Sequence, residues 1–358
     1  MSNFEQKMTD ILNHGALNLA MAIGYQNRIF DVMEELDRPA TVTEIAGAAG
    51  LDGRYLKEWL GIMAMGKIID LSVTATGENA YFLPPAHAAF LTRSAGSNNL
   101  GVYTQEIPLL TACAMEAVNN GFTTGDGISF SQYPRFQEFM GQLADAKHRQ
   151  ILIQHFLPSV DNGKLVQRLK KGIRVCDLGC GQGLALNLMA EAFPESTFVG
   201  IDNHEEAVRT AQKEARRKGL ANVDYLVRDA AKINGEKAFY ARFDYVCAFD
   251  AIHDQSHPLD ALKGIRWMLA HSGLFSMVDI KAGSDHKDNL DHPMGPFLYT
   301  VSLMHCMPIG LNGNGAGLGM MWGRELALNM LSQAGFEQVE VLEMEHDGFN
   351  LHYLCRVP

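Results

Sequence analysis

His253 lies among acids in the run Asp250-Ala251-Ile252-His253-Asp254, directly after the apolar stretch Phe243 to Phe249. An imidazole changes charge near neutral pH. Beside a carboxylate that orients its ring, it can take a proton from a hydroxyl, an amine or a thiol. His253 and Asp254 are therefore the candidate catalytic pair, with Asp250 as a second carboxylate able to orient the ring. Capping the next helix, or touching the end of a bound ligand, is the other use for a histidine at this place. Asn289, Asp291 and His292 are also metal-ligand types, but no second cluster stands at zinc spacing from them, so no metal is expected.

Three further acids follow apolar runs: Asp177 after Ile173 and Val175, Asp202 after Thr197 to Ile201, and Asp229 after Val223 to Val227. Behind Asp177 come Gly179, Gly181 and Gly183. A loop without Cβ atoms turns tightly and lets a ligand lie against its backbone. A dinucleotide fingerprint spaces its glycines G-x-G-x-x-G to place a pyrophosphate at a helix N-terminus. Here the spacing is G-x-G-x-G and an acid stands in front, which repels phosphate and suits a ligand whose near end is cationic. Asp202, with Asn203 after it, is placed for a ribose diol. Asp229 with Ala230 is placed for an adenine amino group, and Asp250 borders the same sheet edge.

These residues need a scaffold of alternating strands and helices. Ile173 to Asp202 reads as strand, glycine loop, helix, strand. A helix from His204 to Lys218 and the strands Val223 to Val227 and Phe243 to Phe249 follow. Then come a helix from Pro258 to Ala270, a turn at His271 to Gly273, a strand from Leu274 to Ile280, a helix from Trp322 to Ala334, and the runs Gln338 to Leu342 and Asn350 to Arg356. That alternation predicts a mostly parallel sheet ending in a hairpin. Residues 281–319 interrupt it with about forty residues, a length that signals a functional element. Phe297, Tyr299, Met304 and His305 within it are the candidate acceptor-binding residues, with Cys306, Met307 and Met320 adding soft apolar surface.

Residues 11 to 36 predict two amphipathic helices broken near Gly24. Thr41 and Glu44 form a capping box for the next helix, and another helix runs from Asp52 to Met65. Two β-prone runs around Thr76-Gly77-Glu78-Asn79 complete a winged helix. On its second helix Asp52, Arg54, Lys57 and Glu58 cancel, and residues 1–90 hold eleven acids against six bases. A DNA groove reader needs the opposite balance. Residues 94–156 predict helices from Asn99 to Asn119 and from Phe136 to Phe156. Tyr133, Phe136 and Phe139 are placed to close over a bound ligand. The expected domains are 1–92 (winged helix and dimerisation), 93–160 (helical connector and lid) and 161–358 (ligand binding).

The net charge of −11 argues against a general nucleic-acid binder. No stretch reaches eighteen apolar residues, so no membrane partner is expected. The six cysteines show no disulfide or C-x-x-C spacing, and the expectation is reduced thiols in the cytoplasm.

The segment from Asp177 to Gly183, with Asp202 beyond, resembles the cofactor loop of class I S-adenosylmethionine-dependent methyltransferases. LDGRYLKEWLGIMAMGKIID, SQYPRFQEFM, FDAIHD, VDIKAGSDHKDNLDHPMGPFLYTVSLMHCM and GLGMMWG extend the resemblance over nearly the whole chain, to a winged-helix branch of that family similar to small-molecule O-methyltransferases. It implies an α/β fold, a Rossmann-like seven-stranded domain preceded by a mostly helical winged-helix domain. It also implies S-adenosylmethionine as cofactor, S-adenosylhomocysteine as product, a small-molecule acceptor, and a homodimer through the N-terminal domain. The catalytic His-Asp pair of the plant-type enzymes has a counterpart only within Asp250 to Asp254. Two other functions are kept: a cofactor-sensing DNA-binding regulator, and a thiol or metalloid methyltransferase using Cys180, Cys247 or Cys306. The last needs thiolates converging on one atom, and a loop cysteine and a strand cysteine do not promise that.

Overall fold

Ser2 opens the first helix with a reciprocal cap: its side chain accepts from the Glu5 N–H while Glu5 takes its own. Helix α1 (Asn3–Gln26) then runs through Gly24, where the sequence suggested a break. The glycine is there for packing. A Cβ at this position would lie 2.2 Å from the Trp59 ring, whose indole N–H donates to the Ala20 carbonyl at 2.7 Å. The break falls instead at Arg28, in the left-handed region with φ 59°, and α2 (Ile29–Leu36) follows.

The computed structural model describes residues 2–133 and 136–357, and the chain divides into two compact units, Met1–Leu109 and Leu110–Pro358. In the first unit, α3 (Val42–Ala49) starts at the expected box, with the Thr41 N–H donating to Glu44 at 2.8 Å. Asp52 caps α4 (Gly53–Met65). Strands β1 (Ala40–Thr41), β2 (Asp70–Val73) and β3 (Asn79–Phe82) form an antiparallel sheet in the order β1-β3-β2. Phe30, Ile45, Leu60 and Met63 fill the core between these elements. Along α1, by contrast, Phe4, Ile11, Leu12, Leu19 and Ile23 stay exposed.

The expected helix from Asn99 to Asn119 is two elements, a 3-10 turn Gly101–Gln105 and a helix Glu106–Thr124. Asn99 remains outside because its side chain accepts from the Val102 N–H at 3.2 Å, the capping use that competes with helix for this residue type. The helix Phe136–Ile151 likewise ends early, in a wide turn over Leu152–Phe156 just ahead of Pro158. A regular helix would press the Pro158 ring against a carbonyl one turn back.

The second unit holds β4 (Arg174–Leu178), β5 (Thr197–Asp202), β6 (Val223–Val227), β7 (Phe243–Phe249), β8 (Leu269–Ile280), β9 (Gln338–Met344) and β10 (Asp347–Arg356), in the order β6-β5-β4-β7-β8-β10-β9. All neighbours from β6 to β8 are parallel, and β10 runs antiparallel between β8 and β9. Strand β8 begins five residues earlier than expected, since the turn at 271–273 is absorbed as an irregularity with Ser272 at φ 58°. Both faces of the sheet are covered. Along β4, Val175 packs with Leu186, Met189 and Phe198 on one face, while Cys176 and Leu178 pack with Val246, Ile265 and Trp322 on the other. The strand order reverses at β4, between β5 and β7, and that reversal opens a ligand crevice at the carboxyl ends of the strands. Among the described residues, no helix is long and apolar enough to cross a membrane.

Candidate functional site

At the β4 end of the crevice the loop is held by its own backbone. The Gly179 and Cys180 N–H groups donate to the Ile201 carbonyl at 2.8 and 3.2 Å. Asp202 Oδ2 accepts from the Gly181 N–H and Oδ1 from the His204 N–H, both at 2.8 Å. The second-strand acid thus ties the glycine loop to the helix that follows β5. Gly183 has φ 75°, and a Cβ on it would lie 2.6 Å from the Tyr225 ring; at Gly181 (φ 51°) the Cβ direction meets no atom within 4 Å. The loop is closed behind and open in front. Tyr225, which sequence reasoning passed over, donates to Asn187 Oδ1 at 2.8 Å and lies 3.0 Å from the Gly183 carbonyl.

Asp177 is buried beneath this loop. Burial pushes its carboxyl up to about 7, opposed by a hydrogen bond from the Cys247 thiol at 3.7 Å and assisted by the charge of Asp202. Burial raises Asp202 too, against the N–H groups of His204 and Gly181. Asn203 is exposed beside it. Asp229 caps a short turn through the Ala231 N–H (3.0 Å) and pairs with Lys232 at 3.1 Å, with Ala230 buried next to it. Asp250, at φ 49°, is held by the Asn350 amide at 2.8 and 3.1 Å.

The other end is assembled from separate segments. His253 is 3% exposed and its Nδ1 lies 2.7 Å from Asp279 Oδ1, so the ring is oriented by Asp279 rather than by Asp250. Asp279 sits one residue before the end of β8 and is 1% exposed; the Ile280 N–H also donates to its Oδ1 at 2.8 Å. Nε2 of His253 points to Asp254 Oδ1 at 3.4 Å. Burial disfavours the imidazolium, yet the carboxylates of Asp279 and Asp254 outweigh it and hold the His253 pKa well above the ordinary histidine value. Sequence reasoning missed Asp279, although an acid near the carboxyl end of a parallel strand was the signal already used for Asp202.

From the 281–319 segment, His305 and Cys306 reach this histidine. Burial pushes His305 down to about 4, with Asp254 and His253 as its charged neighbours, and raises the Cys306 thiol beside the same two residues. The Met304 carbonyl accepts from the Tyr133 hydroxyl at 2.8 Å, and Tyr133 meets His305 edge to face at 4.9 Å. Phe130 stands between the two ends, its ring centroid 5.1 Å from His204 and 6.0 Å from His305. Phe297 and Tyr299 go elsewhere, into a separate apolar cluster with Ile280, Ala282 and Leu298. Asn289 is used structurally, bonded to the Gly283 and Asp285 carbonyls and to the Tyr299 hydroxyl; His292 is bonded to the Lys281 carbonyl and the Met294 N–H. Phe139 is buried, and the Phe136 side chain lies outside the described residues. Cys176, Cys180 and Cys247 gather around Asp177, whereas Cys306 keeps company with His253. On the face of β8 opposite Asp279, a cavity of about 340 Å³ opens between Phe156, Phe249, Val278 and Met344.

Residues 169–297 match a family described as a methyltransferase domain, and residues 15–93 match an Rv2258c-like winged HTH domain. The chain is similar to the (S)-tetrahydroprotoberberine N-methyltransferase of Eschscholzia californica, 28% identical over 30% of each chain. It is also similar to the ubiquinone biosynthesis O-methyltransferase of Roseobacter denitrificans, 32% identical over 29% of this chain and 40% of that one. The alignments span well under half the length of these curated relatives. Over full length the fold is that of human N-acetylserotonin methyltransferase, solved with S-adenosylmethionine, at 14% identity and a TM-score of 0.71 over 100% of this chain and 98% of that one. Mitomycin 7-O-methyltransferase has the same fold at 16% identity and a TM-score of 0.69, over 99% and 98% of the two chains. This chain therefore carries a methyltransferase domain behind an N-terminal winged HTH domain.

Proposed function

We propose that the chain is an S-adenosylmethionine-dependent methyltransferase that methylates oxygen, sulfur or nitrogen on a small, partly apolar acceptor. The observation that carries this reading is the acid-bearing glycine loop tied to Asp202 at the point where the strand order reverses, inside the region that matches a methyltransferase domain. The loop and its flanking acids have the donors and acceptors such a cofactor needs: Asp202 and Asn203 for the ribose hydroxyls, Asp229 and Ala230 for the adenine, Asp177 and Asp250 for the cationic methionyl end. Bound there, the cofactor supplies an electrophilic methyl group.

Transfer from a sulfonium is an in-line displacement, so the largest contribution is to hold the acceptor atom on that line. Met304, His305 and Tyr133 offer a buried, mostly apolar wall for this, with Phe297 and Tyr299 farther along the same segment. In its neutral form His253, oriented by Asp279 and flanked by Asp254, takes the acceptor's proton where there is one to lose. Residues 93–160 serve as connector and lid, and the second copy of a cytoplasmic homodimer covers the apolar side chains of α1. A screen for tritiated methyl transfer across phenols, thiols, amines and carboxylates tests the activity, and copurified S-adenosylhomocysteine would identify the cofactor directly. No transfer to any class, together with no calorimetric binding of S-adenosylmethionine, would reject it.

The winged HTH match favours a second reading, a cofactor-sensing regulator that binds DNA. The acid excess of residues 1–90 opposes it, and selection from a random DNA pool decides: recovery of one sequence at nanomolar affinity would make it the better account.

A further inference from the structure

Among the described residues, one group of three holds atoms of metal-ligand type close together: an imidazole nitrogen of His253, a carboxylate oxygen of Asp254 and the Cys306 sulfur, all within 4.8 Å of one another. We propose that these three form a site for one thiophilic divalent cation, zinc foremost, with a fourth position open toward the acceptor. Three features of the geometry support it. A tetrahedral zinc with bonds of about 2.0–2.1 Å keeps its nitrogen and oxygen ligands about 3.3 Å apart, and Nε2 of His253 lies 3.4 Å from Asp254 Oδ1. Oδ1 is buried with the His253 imidazole and the Cys306 thiol as polar neighbours, weak contacts for a carboxylate oxygen that a cation held among the three would replace with ligation. The Asp279 contact to Nδ1 at 2.7 Å fixes the ring and turns Nε2 toward Asp254, so that a cation displacing the Nε2 proton would find the carboxylate–histidine arrangement that supports metal-bound imidazoles.

One thiolate, one imidazole and one carboxylate suit zinc better than magnesium or calcium, which prefer oxygen alone. The Asp254 side chain, 26% exposed, leaves a way in. His305 stands just outside the group, with Nδ1 3.6 Å from Cys306 Sγ. The inference rests on the methyltransferase reading only for what the fourth position meets. With the cation in place His253 is a ligand instead of a base, and the metal's charge acidifies a bound hydroxyl or thiol directly.

The test titrates the chelator-treated full chain with cobalt(II), a coloured probe for a zinc site. The expected result is one equivalent bound, with intense tetrahedral bands and a thiolate-to-cobalt charge-transfer band, all removed by zinc. Cys306→Ser should abolish the charge-transfer band and lower zinc affinity at least about tenfold, with the fold checked by circular dichroism. Asp254→Asn, at a partly exposed position, should weaken both metals to a similar degree and stands in should the serine variant not fold. No stoichiometric binding at micromolar concentration, or a charge-transfer band that survives Cys306→Ser, overturns the site. Calorimetry with S-adenosylmethionine on the same metal-free chain separates the two readings: cofactor binding without metal binding removes this inference and leaves the methyltransferase reading standing.

Discussion

The two ends of the crevice are built in opposite ways. At the β4 end, Asp177, the three glycines and Asp202 come from one stretch of chain, and backbone N–H groups of Gly181 and His204 do most of the holding. At the β7–β8 end, His253, Asp279, His305 and Tyr133 come from four segments, and side chains do most of the holding: His253 to Asp279, His305 against Tyr133, and the Tyr133 hydroxyl to the Met304 carbonyl. A backbone cradle tolerates change in its neighbours but accepts a narrow range of ligands. A side-chain pocket can be refitted residue by residue, which is how one fold serves many acceptors. On the proposed function, cofactor affinity belongs to the first end and turnover to the second.

The largest expected effect tests that division directly. His253→Ala should lower turnover about 10²-fold or more while leaving cofactor affinity nearly unchanged, with a smaller loss for acceptors already ionised. Weakened cofactor binding that affects all acceptors alike would move His253 to the other end. Asp202→Ala is the mirror experiment. It removes the acceptor for two hydroxyls and the tie to Gly181, so calorimetry should show a loss of roughly 2 kcal/mol or more, about thirtyfold in affinity. An unchanged dissociation constant would mean that Asp202 serves the loop alone.

A third effect, about tenfold, comes from pH. The Asp177 carboxyl rises from its ordinary 3.8 to about 7 on folding, so the ligand-free folded chain binds this proton more tightly than the unfolded one does. This stabilising contribution is lost as pH rises from about 4 to about 7 and does not change further above that. A cationic ligand favours the carboxylate, so cofactor affinity should climb with pH, by at most about tenfold per unit, and level off above about 7. Calorimetry in two buffers of different ionisation heat reads both the affinity and the released proton; a flat profile would show that Asp177 does not face the cofactor's charge. The smallest effect belongs to Tyr133→Phe, which removes one buried hydrogen bond to the Met304 carbonyl. About 1 kcal/mol of stability and a few-fold rise in acceptor KM are expected, with cofactor affinity unmoved. A cofactor defect as large as the acceptor defect would erase the distinction between the two ends.

How much of this was legible follows the same line. Strand, glycine loop, helix and terminal acid were readable because their signals are local: an apolar run, glycines where positive φ is needed, a 3.6-residue period. The Thr41–Glu44 capping box and the wing hairpin were local signals too. Gly24 misled because a glycine inside a helix reads as a breaker, while its actual use, making room for Trp59, depends on a helix thirty-odd residues away. Asn99 misled in the other direction, since its capping bond shortened a periodic run.

His253 was visible by type and position, and its partner was not. Asp250 and Asp254 were nearer in sequence, but Asp250 turns to Asn350, and Asp279 reaches the ring because β8 lies beside β7 in the sheet. The sequence by itself determined which residues end strands and which loops lack side chains, since those follow from each residue's own backbone preferences. Which strand end lies beside which, and therefore which acid meets the imidazole and that Cys306 joins them, was decided only by the tertiary structure. Strand order and the path of the 281–319 segment are set by packing of the whole sheet, and no short window of sequence contains that information.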